Sequence, residues 1–87
     1  MKNKILKLLQ SKIDIHKIQI YDLSDKHKNH NKSNSGGHYK IHVISDDFIN
    51  MTLLNRHQII YSILDEMLKD EIHALSIKTQ TITESEK

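Results

Sequence analysis

Seven histidines stand in a chain of 87 residues that contains no cysteine: His16, His27, His30, His38, His42, His57 and His73. Histidine is the commonest metal ligand and the side chain that titrates nearest neutral pH, so ligand spacing is the first thing to test. His27 and His30 are separated by two residues, which lets both reach one ion. His38 follows Gly36-Gly37 and can fold back toward them. These three make a candidate loop site for Zn²⁺ or Cu²⁺. His38 and His42 fall on one face of a strand, but four residues of strand set their Cα atoms roughly 13 Å apart, too far to chelate together. His73 opens a late alternating segment on the same side as Leu75 and Ile77, the side expected to meet the helices. Taken alone, such a position reads as a half-buried histidine satisfied by one hydrogen bond.

Without cysteine the chain has no disulfide framework and no thiol nucleophile. It also has no self-sufficient iron–sulfur site, because those clusters are normally held by thiolates. There is no glycine-rich phosphate loop, no G-x-S-x-G and no H-E-x-x-H, and the carboxylates cluster at expected helix ends, so the chain is not expected to be an enzyme. Charge is unevenly spread. Residues 1–43 hold nine Lys and three Asp, a balance of +6, and residues 44–87 hold four Lys/Arg and eight Asp/Glu, a balance of −4, which sum to +2. Phosphate-binding domains usually show a sharper positive footprint. No apolar run approaches the roughly 20 residues of a membrane helix. The basic start is followed by no long apolar region and no small-residue cleavage site. The expectation is a soluble, cytoplasmic chain with no membrane partner.

The elements that must position these residues follow from periodicity. Ile5, Leu8, Leu9 and Ile13 recur at helical spacing, predicting an amphipathic helix over residues 3–13. Alternation of Ile18 and Ile20 with Gln19 and Tyr21 predicts a strand over 17–23, and Tyr39, Ile41 and Val43 predict another over 39–45. Between them, residues 24–37 carry no apolar side chain, and a loop this long is usually functional or disordered; it is expected to be flexible. Asp46 and Asp47 are N-cap material, a short helical turn is expected around 50–55, and a continuous helical stripe runs from 53 to 68. Alternation returns from 72 to 82, with threonines that favour strand, and residues 83–87 are expected to be a disordered tail. The order α-β-β-(α)α-β is an α+β single domain, residues 1–82, with helices on one face of a three-stranded sheet.

Leu54-Asn55-Arg56-His57-Gln58-Ile59-Ile60-Tyr61 and Ile72-His73-Ala74-Leu75-Ser76-Ile77-Lys78-Thr79 resemble the BolA family, where an Arg-His pair opens the long helix and a Val/Ile-His-Ala-Leu segment opens the final strand. Asp65-Glu66-Met67-Leu68 between them fits as well. So do His38-Tyr39-Lys40-Ile41, Ser45-Asp46-Asp47-Phe48, and Asp22-Leu23-Ser24 with His27 at the family's variable loop. The match spans residues 3–82. The resemblance implies an αββααβ fold of the type II KH kind, with the two middle helices arranged like a helix-turn-helix. It also implies an adaptor that binds a monothiol glutaredoxin and shares a [2Fe–2S] cluster with it and with glutathione, in cluster assembly or trafficking or in iron and redox regulation. The isolated chain would then carry no cofactor, and weak homodimerisation is the most self-association expected. In that reading His73 is a metal ligand, His27 is by position the second, and His30 and His38 are substitutes. The family's other tradition is a DNA-binding transcriptional regulator of stress response and morphology. Here that would use Asn55, Arg56, Gln58 and Ser62, residue types able to read base edges. The sequence departs from the family after the last strand, where it has neither Pro nor Trp, and no KH-type glycine-rich loop stands between the middle helices.

Overall fold

Ile5 and Leu9, one turn apart, are both fully buried and pin one side of helix α1 (Lys2–Lys12) to the core. The computed structural model describes residues 2–23 and 37–87. The expected flexible loop of residues 24–37, with His27 and His30, lies outside the described residues except for Gly37. Strand β1 (Lys17–Asp22) pairs antiparallel with β2 (Gly37–Ile44), in a register running from Lys17 opposite Ile44 to Asp22 opposite Tyr39. Strand β3 (Ile72–Gln80) lies parallel to β2 on its other side, giving the order β1-β2-β3. A parallel neighbour requires a crossover. Here it consists of a 3₁₀ turn (Asp46–Phe48), helix α2 (Leu53–Ile63) and helix α3 (Asp65–Asp70). Tyr39, Ile41 and Val43 of β2 meet Ile5, Leu9, Phe48, Ile60, Leu64 and Met67 in one core, with Leu75 and Ile77 packed against it. The α+β class with a three-stranded mixed sheet is therefore as expected.

Three local features differ from the expected pattern. The helical turn expected around 50–55 sits earlier, at Asp46–Phe48, because Ser45 rather than an aspartate caps it. The buried Ser45 Oγ accepts from the Asp47 N–H at 3.0 Å and donates to the Asp14 carbonyl at 2.8 Å. The aspartates act outward instead: Asp47 Oδ2 accepts from the Asp14 N–H and Asp46 Oδ1 from the Ile82 N–H. Asn50 then reverses the chain at φ 68°, a left-handed conformation that Asn tolerates, and Thr52 caps α2 through its contact with the Asn55 N–H.

The stripe from 53 to 68 is not one helix either. It breaks at Leu64, which is fully buried with φ −95° and ψ 11°. The turn lets Leu64 and Met67 both face the core, and Asp65 and Glu66 open the second helix where its dipole favours acids. The chain end is also more ordered than the expectation for 83–87. Ile82–Ser85 form a short helix α4, fixed by a reciprocal capping box between Thr81 and Glu84.

Candidate functional site

His38 and His73 come together where β2 and β3 begin. Their rings stack with centroids 5.1 Å apart and planes inclined by 23°. A β-bulge makes this contact. Gly37 pairs with Ile72 but His38 pairs with Ala74, so His73 is the extra residue of β3. The extra residue resets the alternation: Ile72 and Leu75 both turn toward the core, while His73 is exposed. The half-buried position expected for His73 beside Leu75 and Ile77 is therefore corrected. Of the loop histidines, His38 is the one the described residues place next to His73; His27 and His30 lie outside them, so the three-histidine loop site has only His38 on view.

Two neighbouring imidazoles are side chains of metal-ligand type, and the chain contains no thiolate to add. Among the described residues no group of three His, Cys, Asp or Glu side chains could hold a metal ion alone. His42 is separately engaged, its Nε2 lying 2.7 Å from Gln80 Oε1.

The α2 residues divide. Asn55, Gln58 and Ser62 are exposed and line an open groove with Lys12, Met51 and Ile59. Arg56 does not join them. Its residue is only 6 % exposed, its guanidinium donates to both carboxylate oxygens of Glu84 at 2.7 and 3.1 Å, and Nε donates to the Met51 carbonyl at 3.1 Å. It also lies over the Phe48 ring, 5.7 Å from the centroid. Every part of the guanidinium is occupied by the fold, so Arg56 is removed from the base-reading set.

A family model described as BolA-like protein matches residues 9–84. The chain belongs to the BolA family. It is 48 % identical to the uncharacterized protein BU473 of Buchnera aphidicola, over 93 % of this chain and 76 % of that one. It is 41 % identical to the DNA-binding transcriptional regulator BolA of Escherichia coli, over 79 % of this chain and 64 % of the regulator. Against the solved BolA domain of SufE1 from Arabidopsis thaliana the TM-score is 0.80 at 32 % identity, covering 94 % of this chain and 92 % of that domain. The chain spans 24 % of the SufE-like protein 1 of the same plant.

Within this BolA chain, the residue that sequence reasoning missed is Glu84, assigned to the tail. A Thr-x-x-Glu capping box was its available signal. The hydrogen bonds from Arg56, then that from the Thr81 N–H, hold its carboxyl at about 2 instead of the ordinary 4.5. A carboxyl with a lowered folded pKa contributes stability that is complete above 4.5 and is lost as pH falls from there through about 2. Urea midpoints measured across that interval should fall progressively, and Glu84→Gln should remove part of the slope. An unchanged slope in the variant would show that other carboxylates govern acid unfolding.

Proposed function

We propose that this BolA-family chain is a non-enzymatic adaptor that binds a monothiol glutaredoxin and shares a [2Fe–2S] cluster with it, in iron–sulfur cluster assembly or trafficking or in iron and redox regulation. The observation that supports this reading is the stacking of His38 on His73 at 5.1 Å. Two imidazoles supply half of an iron's tetrahedral coordination, and a chain without cysteine must borrow the thiolates, one from the glutaredoxin and one from glutathione. When bound, such a cluster would have its reduction potential raised by the two imidazoles relative to four thiolates. The chain's own contribution is to hold the two rings at the bulge, with His73 at the surface where a partner can reach it.

The test is anaerobic reconstitution of the mixed proteins with glutathione, followed by visible circular dichroism. The one-to-one complex should give a spectrum distinct from that of glutaredoxin alone. His73→Ala should weaken cluster retention by at least about tenfold, while leaving the unfolding free energy of the free protein within about 0.5 kcal/mol, because the side chain is exposed. His38→Ala and His27→Ala, compared side by side, assign the second ligand. An unchanged spectrum with His73→Ala would sink the reading.

A second reading rests on the groove beside α2, where Asn55, Gln58 and Ser62 share an open surface with Lys12; the Escherichia coli relative is named a DNA-binding regulator. As a DNA-binding surface it would be weak and salt-sensitive. With one or two phosphates neutralised, log affinity should fall with log salt at a slope of about −1 to −2. Gln58→Ala should relax base preference, and binding that does not respond to salt would reject this alternative.

A further inference from the structure

We propose that the free edge of β3, at Ile77 and Thr79, pairs with an extended segment of a partner polypeptide whose side chains alternate between apolar and acidic. This goes beyond the adaptor reading and uses a different surface. Strand β3 ends the sheet, so among the described residues one of its edges has no neighbouring strand. In a parallel ladder, alternate residues turn both backbone groups to the same side. The Ser45 N–H donates to the Gln80 carbonyl at 2.9 Å, so Gln80, Lys78 and Ser76 address β2 and Leu75, Ile77 and Thr79 address the free side. Tyr61 corroborates the assignment, because its hydroxyl donates to the Leu75 carbonyl at 3.3 Å. Among the described residues nothing beyond the sheet takes up the backbone groups of Ile77 and Thr79.

This stretch of edge forms one wall of an open groove of about 510 Å³, faced by Leu53 and His57 of α2 and by Glu84 of α4. Thr79 is 4 % exposed and lies on the helix-facing side of the strand with Leu75 and Ile77, so its side chain leaves the edge itself open.

The chemistry of the occupant follows from its surroundings. Only an extended backbone matches donors and acceptors that repeat every second residue, roughly 6.8 Å apart. One face of the added strand would lie against Leu53, which is 62 % exposed, and so is apolar. Its other face continues the helix-free side of the sheet. There the register sets Lys40 beside Tyr21 and Ser76, and Lys78 beside His42, with Lys17 at the end. All three lysines are exposed, and none forms an ion pair among the described residues. Of these, Lys78 stands on the strand that the segment would join, and an acidic side chain opposite it is complementary. A second copy of β3 is not, because pairing two such edges sets Lys78 near its own counterpart, and like charges across strands destabilise.

The probe is a fluorescein-labelled peptide of alternating valine and glutamate, added to the isotope-labelled chain without iron or glutaredoxin, so failure here leaves the adaptor reading intact. Binding should slow amide exchange at Ile77 and Thr79. Lys78→Glu, an exposed substitution, should weaken the peptide by about fivefold to tenfold and transfer preference to a valine–lysine peptide. Thr79→Val keeps the backbone edge and should leave binding within about twofold of the unsubstituted chain. A peptide N-methylated at alternate residues should not bind. Unchanged exchange at Ile77 and Thr79 at millimolar peptide, or equal binding of the N-methylated form, overturns the proposal. So does a single-stranded oligothymidylate that displaces the peptide with the same dependence on Lys78, because the face would then attract polyanions at large.

Discussion

Truncation of Arg56 to alanine is expected to cost about 2–3 kcal/mol, the range for hydrogen bonds made by a charged group that the fold encloses. The arginine loses two bonds to Glu84, one to the Met51 carbonyl and its contact with the Phe48 ring. Glu84 keeps access to water, with 45 % of its side chain exposed, so the loss falls mainly on the arginine's side. With a urea slope of about 1–2 kcal/mol per molar, the midpoint should drop by about 1–3 M, and a domain this size should melt about 10–20 °C lower. Arg56→Lys should recover little, since an ammonium has no fork to span a carboxylate and a carbonyl together. Asn55→Ala and Gln58→Ala, by contrast, should stay within about 0.5 kcal/mol. An Arg56 variant with wild-type stability would overturn this assignment. Without such a control, a loss of any binding on mutating Arg56 reports unfolding rather than recognition.

Phe48→Ala should be more damaging, at about 3–5 kcal/mol. Phe48 is the chain's single phenylalanine and 1 % exposed, and it carries the 3₁₀ turn into the core. A domain of this length has a total stability on the order of 4–13 kcal/mol. The variant should therefore be partly unfolded in native buffer, with lost amide dispersion and a shallow thermal transition. Phe48→Leu, which keeps most of the volume, should cost far less. The double variant with Arg56→Ala should be less destabilised than the two losses added, because each removes the other's contact. Strict additivity would show that the ring and the guanidinium act independently.

The periodicities that made the strands legible are those that burial enforces. Ile18 and Ile20, then Tyr39, Ile41 and Val43, alternate because one face of the sheet meets the helices, and the structure places those strands within two residues of the expected bounds. Helix α1 was readable for the same reason. What escaped was every feature decided by a single backbone event. The break at Leu64 leaves the apolar stripe nearly in phase, so spacing alone cannot reveal it. The shift of the helical turn to Asp46–Phe48 depends on one hydroxyl, that of Ser45. His73 was assigned to the helix-facing side because alternation assumes an unbroken pleat, and one inserted residue inverts it. The candidate ligand residues were readable by type and position. That His38 is the histidine beside His73 required the strand register. Arg56 misled because an arginine at the start of a helix looks solvated until its partner, twenty-eight residues later, is placed.

The bulge also divides labour along β3. Ile72, Leu75 and Ile77 answer to the core, whereas position 73 answers to whatever meets the surface. Its side chain can be exchanged for another at the cost of its contact with the His38 ring, without entering the core. Demands made at the surface can therefore keep an imidazole there or let it drift. Comparing the tolerance of positions 72 and 73 to substitution would separate what this chain needs in order to exist from what it needs in order to act.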